Sequence, residues 1–465
     1  MKSFDVLILG AGSAGLTAFG KLRHSLNVGI INAGSYGTTC ARVGCMPSKV
    51  LIQVAEDYHR AKILKDKNLV TSDIGSINTQ EVMSYMRSMR DKFVSGTNRA
   101  LLNIGDSKID GTAIFVDKNT VKVNDVLYKA KSFIISVGSK PFVPEAWKAF
   151  GDLVITSDEV FELEKIPLKL AVIGLGPIGL ELGQAFHRLG SKVTAFDLSN
   201  TIAGITDPSV AKEAIEQIGN EFTIHLGSGV ELKKNNTGIE VSNGAESVIV
   251  DKVLVSMGRR SNVPSTMIKS INIQCDKDGL PLNINPLNLN IPETNIYIAG
   301  DANGIRPILH EASDEGRMVA ESILNGKPIS FKRKTPMGIC FTSPQVISVG
   351  QKWLEVKDNL NIVVAEDHFT MGRSKVIGEK GLMKVYGEKT TGKILGAEMV
   401  GPQVEHLAHY LALAIEKGTT ISELLQMPIY HPTIEESLRS TLRSLAKNMG
   451  GKQVSEICCL NSKEN

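Results

Sequence analysis

Unbroken apolar runs mark the strands at the two places where the strongest pattern of this chain recurs. Val6-Leu7-Ile8-Leu9 is followed at once by Gly10-Ala11-Gly12-Ser13-Ala14-Gly15; residues 16–26 have helical character, and residues 28–31 read as a second buried strand. The same order returns with Leu170-Ala171-Val172-Ile173, then Gly174-Leu175-Gly176-Pro177-Ile178-Gly179, a helix, and a strand at 192–196. Between the two copies, residues 108–137 alternate as a β-meander does. Beyond residue 335 short strands at 345–349, 383–386 and 394–400 precede amphipathic helices at about 403–416 and 435–446. Leu407, Leu411, Ala414 and Ile415 fall at helical spacing. The pattern predicts an α/β chain with two Rossmann-like three-layer domains and a carboxyl-terminal α+β domain.

Length agrees, since 465 residues hold about three domains of ordinary size. The net charge of +3 is spread among acids with no basic block, which argues against nucleic acid and membrane surfaces as partners. No apolar run is long enough to cross a bilayer. Met1-Lys2 leads straight into the first strand and leaves no room for a cleavable leader, so a cytoplasmic location is expected. Six cysteines are too few to staple a chain of this length. Cys40 and Cys45 are close together, Cys458 and Cys459 adjoin near the carboxyl end, and Cys275 and Cys340 read as ordinary core thiols.

In a Gly-x-Gly-x-x-Gly turn the glycines let backbone approach a pyrophosphate, whose charge then sits at a helix amino terminus. Here Gly10, Gly12 and Gly15, and again Gly174, Gly176 and Gly179, have the required strand before and helix after. The residue ending the second strand separates the cofactors. Asp197 lies 18 positions after Gly179, suits a ribose 2′-hydroxyl, and repels a 2′-phosphate; no arginine lies between it and Ile205. NAD is therefore favoured over NADP at the second copy. In the first copy the place is taken by Asn32, whose amide reaches a ribose hydroxyl more weakly.

The segment Thr39-Cys40-Ala41-Arg42-Val43-Gly44-Cys45-Met46-Pro47-Ser48-Lys49 carries the sharpest chemistry. A regular helix separates residues five apart by roughly 7.5 Å along its axis, whereas disulfide-bonded Cα atoms lie roughly 4.4–6.8 Å apart. A Cys40–Cys45 bond thus needs a distorted turn, and Gly44 supplies the freedom for one. A helix start and Lys49 nearby would stabilise a thiolate. The spacing alone leaves open a redox pair and two buried thiols that never bond; zinc lacks a second pair of ligands at suitable spacing.

Taken with both glycine turns, this segment resembles the class I pyridine nucleotide–disulfide oxidoreductases, and the similarity covers nearly the whole chain. Ser136-Val137-Gly138-Ser139 stands where members carry Ala-Thr-Gly-Ser, and Ser256-Met257-Gly258-Arg259-Arg260 resembles the turn ending their NAD domain. Asn295-Ile296-Tyr297-Ile298-Ala299-Gly300-Asp301 resembles the second FAD motif, whose aspartate binds the ribitol chain. Phe341-Thr342-Ser343-Pro344 resembles the opening of the dimerisation domain, and His431-Pro432-Thr433-Ile434-Glu435-Glu436 the catalytic His-Pro-Thr-x-x-Glu. The resemblance implies FAD at Gly10, Gly12, Gly15, Asn32, Lys49, Ser136, Gly138 and Asp301, and NAD at Gly174, Gly176, Gly179, Asp197 and Gly258. It implies an FAD-binding domain at 1–143 completed by 266–334, an NAD-binding domain at 144–265, and an interface domain with its tail at 335–465. Cys45 would be the thiolate beside the flavin and Cys40 the sulfur that exchanges with substrate. His431, supplied by the other subunit of a homodimer and held by Glu436, would move the proton, and Lys49 would pair with Glu181 near the flavin.

Within the family the cysteine segment looks most like bacterial dihydrolipoyl dehydrogenases, so oxidation of dihydrolipoamide by NAD, on the free compound or a lipoyl-carrying protein, is the expected reaction. Cys458-Cys459, 27 residues after His431, departs from that type and leaves two alternatives. It is an incidental pair on a disordered tail, or a relay of the kind found in mercuric and some thioredoxin reductases. A binding role, as a subunit held on a 2-oxo acid dehydrogenase core, is a third and compatible expectation.

Overall fold

The computed structural model describes residues 2–450 apart from residues 264, 269–270, 272, 277–279, 281, 371 and 379. Cys458-Cys459 and the tail expected to be disordered lie outside the described residues. Strand Lys2–Leu9 centres the first sheet. It runs parallel to Val28–Asn32 on one side and to Val126–Ile135 on the other. Lys108–Asp110 extends the sheet beyond the first neighbour and Ile296–Ile298 beyond the second, both parallel. The apolar run at 6–9 is unbroken because both faces of a parallel sheet are covered; Val6, Leu7, Ile8 and Leu9 are all buried.

The second copy repeats the plan. Strands Thr223–Leu226, Lys192–Asp197, Lys169–Ile173, Lys252–Val255 and Val154–Ile155 form an all-parallel sheet in that order. Each parallel sheet has a three-stranded antiparallel companion: Ile114–Asp117 and Thr120–Val123 against the start of Val126–Ile135, and Glu231–Asn235, Gly238–Ser242 and Ser247–Val250. The meander expected over 108–137 is thus corrected at both ends. Lys108–Asp110 pairs with Val28–Asn32, and Phe133, Ile134 and Ile135 are buried inside the parallel sheet. The first crossover helix, Ser13–Leu22, also stops short of residue 26, because Arg23, His24 and Ser25 form an exposed polar turn with no apolar face to bury.

The carboxyl-terminal part is a five-stranded antiparallel sheet in the order Met337–Cys340, Gln345–Gly350, Ile394–Gly401, Leu382–Glu388, Ile362–His368. Helices Val404–Lys417 and Glu435–Asn448 bury Leu407, Leu411, Leu438, Leu442 and Leu445 against it. Glu398, fully buried on this sheet, ties it to the loop that opens helix Pro208–Gly219. Its carboxylate accepts from the Thr206 N–H at 2.6 Å, the Thr206 hydroxyl at 2.9 Å, the Asp207 N–H at 3.1 Å and the Trp353 N–H at 2.9 Å. Asp207 in turn caps helix Pro208–Gly219 through the N–H groups of Ser209 and Val210, and lies 3.3 Å from the Lys384 ammonium. Tyr386, fully buried beside both carboxylates, has its hydroxyl pKa pushed up by burial and by the two charges, and stays a donor. Truncating Glu398 to Ala leaves three N–H groups unpaired, that of Asp207 buried and those of Thr206 and Trp353 partly so. It is expected to cost about 3 kcal/mol, read as a lower thermal midpoint; an unchanged midpoint contradicts this role.

Candidate active site

The break in the cysteine segment is where the sequence requires it. The Thr38 hydroxyl accepts the Ala41 N–H at 3.2 Å and starts a short helix, Thr39–Val43. The helix halts at Gly44, and a 22-residue helix, Cys45–Asp66, begins at the next residue. A Cβ at position 44 would lie 3.0 Å from the Thr39 carbonyl oxygen and 3.2 Å from the Cys40 Cα, so a side chain there would press on the turn between the cysteines. Cys40 and Cys45 flank the break as free thiols, Cys40 half-buried and Cys45 exposed. The Cys40 thiol donates to the Cys45 sulfur. That hydrogen bond is the main reason the Cys45 pKa falls from an ordinary 9.0 to about 7; Lys49 adds to the fall, while burial and Glu181 oppose it. Cys40 is pushed far up by the same hydrogen bond, then by burial and by the Cys45 charge. The two sulfurs therefore share one proton near neutrality, with Cys45 the thiolate.

One turn further along the helix, the Lys49 ammonium lies 2.6 Å from Glu181 of helix Pro177–Arg188. The other Glu181 oxygen accepts the Phe341 N–H at 3.0 Å, and the ammonium stands 4.4 Å from the centre of the Phe341 ring. Buried Cys340 adjoins this junction, its thiol pushed up by burial, and Cys275 packs half-buried against the core of the first sheet.

The two glycine turns match residue for residue. Gly10 (φ +109°) and Gly174 (φ +95°) are pressed against the backbone of Ser136 and Ser256, where a Cβ would come within 2.4 and 2.5 Å of a carbonyl oxygen. A Cβ on Gly15 or Gly179 would meet the oxygen of Gly10 or Gly174 at 2.0 Å. The middle glycines stand at the starts of helices Ser13–Leu22 and Pro177–Arg188 with room to spare: a Cβ on Gly176 would meet nothing, and one on Gly12 only the Ser136 oxygen at 3.8 Å. Neither helix has a side-chain cap or an acid in its first turn, so both present bare N–H groups that fit a pyrophosphate. The Ser136 hydroxyl lies 3.1 and 3.0 Å from the Leu9 and Gly10 oxygens, behind the turn. Ser256 does the same for the second copy. Asn32 accepts the Ala11 N–H at 3.2 Å, as Asp197 accepts that of Leu175. The Asn32 amide nitrogen donates to the Gly34 oxygen at 3.2 Å, while the second Asp197 oxygen accepts the Ser199 N–H at 2.7 Å. Gly138 and Gly258 (φ +71° and +93°) both face open space two residues beyond these serines. Asp301 sits on the turn Gly300–Asn303, its carboxylate accepting from the Ser139 hydroxyl at 2.8 Å.

His431 and Glu436 form a separate group at the start of helix Glu435–Asn448. His431 Nδ1 is 2.9 Å from Glu436, whose other oxygen accepts the Thr433 N–H at 3.2 Å. The hydrogen bond from His431 holds the Glu436 carboxyl below its ordinary pKa. A carboxylate only accepts, so Nδ1 carries the proton and Nε2 is left as the basic nitrogen. The His431 side chain is 75% exposed and neighbouring Tyr430 82%. The fold thus joins Cys40, Cys45, Lys49 and Glu181 in one place and leaves His431 on an open face elsewhere in the chain. Residues that the sequence did not mark as site residues are Phe341, Ser139, Ser256 and Arg259, which act through backbone contacts or through another side chain.

Residues 4–316 match the pyridine nucleotide-disulphide oxidoreductase family, and residues 337–442 match its dimerisation domain, which supports a homodimer. The chain is 30% identical to a dihydrolipoyl dehydrogenase of Bacillus subtilis over 93% of its length and 94% of that protein. It is also 30% identical to a mercuric reductase of Lysinibacillus sphaericus over 96% of its length and 83% of that protein. Among solved structures, an HOCl-induced flavoprotein disulfide reductase of Escherichia coli superposes with a TM-score of 0.83 at 21% identity, covering 94% of this chain and 99% of that one. No helix among the described residues is long and apolar enough to cross a membrane. The chain belongs to the pyridine nucleotide–disulfide oxidoreductases, a family of flavoproteins that use FAD with NAD(P)H.

Proposed function

We propose that this enzyme oxidises dihydrolipoamide, free or on a lipoyl-carrying protein, to lipoamide with NAD+, releasing NADH and a proton, in the cytoplasm. The observation that carries the reading is the placing of the Cys40 and Cys45 thiols on either side of the break at Gly44, one turn from the Lys49–Glu181 pair. In the oxidised enzyme these sulfurs are bonded. A substrate thiolate attacks Cys40, forming a mixed disulfide and releasing Cys45 as the thiolate that Lys49 stabilises. The second substrate thiol loses its proton to Nε2 of the partner subunit's His431 and attacks its own sulfur in the mixed disulfide; Cys40 leaves with its electron pair. Glu436 keeps the imidazole in the tautomer this requires. Bound FAD supplies the passage of two electrons from the Cys45 thiolate to NAD+. FAD would be held by Gly10, Gly12, Gly15, Asn32, Lys49, Ser136, Gly138 and Asp301, in a domain of residues 1–143 and 266–334. NAD would be held by Gly174, Gly176, Gly179, Asp197 and Gly258, in residues 144–265, with 335–465 as the interface domain.

The intact His431–Glu436 pair favours a dithiol that must be deprotonated. Likeness to a mercuric reductase at the same identity, with Cys458-Cys459 in the sequence, favours a second reading as a reductase of another thiol or metal acceptor.

Anaerobic turnover assays with dihydrolipoamide, glutathione disulfide, thioredoxin and mercuric ion decide between them. Fast reduction of NAD+ by dihydrolipoamide, slow with NADP+ and lost in Cys45→Ser without loss of bound flavin, is expected. Retained turnover in Cys45→Ser, or fast turnover confined to another acceptor, contradicts the proposal. In the reduced wild type, alkylation of Cys45 is expected to accelerate as pH rises through about 7, since only the thiolate reacts. In Lys49→Met the same profile moves upward; a profile unmoved by that substitution contradicts the electrostatic role of Lys49.

A further inference from the structure

The return strand Arg259–Ser261 leaves the second parallel sheet directly after Gly258 and pairs antiparallel with Ser139–Pro141. This short ribbon is bonded to both loops of the first sheet that the FAD reading uses. The Asn262 N–H donates to the Gly138 oxygen at 2.9 Å and its side-chain amide to the Val137 oxygen at 3.1 Å; the Ser261 hydroxyl donates to the Ala302 oxygen at 2.8 Å. Arg259 makes the most directed contact. Its Nε donates to the Ser139 hydroxyl oxygen and one terminal nitrogen to the Ser139 carbonyl, both at 2.8 Å.

The Ser139 hydroxyl has one proton. A guanidinium only donates and a carboxylate only accepts, so that proton must go to Asp301, 2.8 Å away. The order Arg259 to Ser139 to Asp301 is therefore fixed in one direction, and the cation polarises the hydroxyl that holds the carboxylate. One Asp301 oxygen is taken; the other has no hydrogen-bond partner among the described residues. Behind the turn, buried Glu315 accepts the Gly300 N–H at 2.6 Å and the Asn303 amide at 2.7 Å, which keeps the backbone of Asp301 in place.

We propose that Arg259 is a positioning residue for the flavin site: acting through Ser139, it orients Asp301 so that its free oxygen meets a hydroxyl of the polyol chain of the flavin. The inference rests on reading Asp301 as the polyol ligand, and it deepens that reading by giving the second parallel sheet a part in it.

The test is a double-mutant cycle on FAD affinity, measured by quenching of flavin fluorescence on apoprotein. Arg259→Met and Ser139→Ala are each expected to weaken FAD by about tenfold. The double variant is expected to be no weaker than either single one, because both cut the same chain of hydrogen bonds. Riboflavin, which keeps the polyol, loses affinity by the same factor; ADP, which lacks it, competes as well as before. Ser139→Thr, which keeps the hydroxyl, retains FAD affinity. Additive losses, an equal loss for ADP, or unchanged FAD affinity in Ser139→Ala overturns the proposal. Wild-type apoprotein that takes up no FAD overturns the flavin reading itself.

Discussion

A single buried carboxylate, Glu181, decides how the parts of this chain meet. Its side chain is 7% exposed, and a charge so placed is tolerable only with a partner and donors at hand. Lys49 and the Phe341 N–H meet that need, and they come from segments about 130 residues before it and 160 after it. The pairing recurs seven residues further along both helices, with the charges exchanged. Arg188 bonds Glu56, spans Glu221 with two nitrogens at 2.8 and 2.7 Å, and reaches the Ser343 oxygen at 3.0 Å. Seven residues make about two helical turns, so helices Cys45–Asp66 and Pro177–Arg188 lie side by side in register, pinned at two levels.

The same arrangement sets the sulfur chemistry. Cys45 is the first residue of a helix whose direction is fixed by those pins, and Lys49 lies one turn behind it. Lys49 thus serves Glu181 and lowers the Cys45 pKa at once, while Glu181 raises it. The Cys40 hydrogen bond outweighs both. Gly44 makes that bond possible, because only a broken helix turns the two thiols toward each other.

Much of the site was legible in the sequence because it depends on local backbone geometry. Glycine turns between a strand and a helix, a glycine between two cysteines, and a histidine before proline each announce a shape within a dozen residues. Asn32 departs from the acid usual there, and its amide oxygen accepts the Ala11 N–H as the carboxylate of Asp197 accepts that of Leu175. The illegible part consists of long-range partners. Nothing near Arg259 in the chain points to Ser139, and nothing near Glu398 points to Thr206, since those contacts exist only after segments more than a hundred residues apart have packed together. The misread meander has a related cause. Strand Val126–Ile135 pairs with a hairpin through residues 126–129 and becomes continuously apolar only at Phe133, Ile134 and Ile135, where it lies between two parallel neighbours.

Everything rests on the cysteine pair being the group that electrons enter and leave. Mapping alkylated thiols before and after anaerobic addition of NADH tests this directly. The account predicts that the protein isolated in air carries a Cys40–Cys45 bond, and that NADH makes those two sulfurs alkylatable while Cys275 and Cys340 stay as they were. Sulfurs at 40 and 45 that are already free in air, or that NADH leaves unchanged in the flavin-loaded protein, would contradict it.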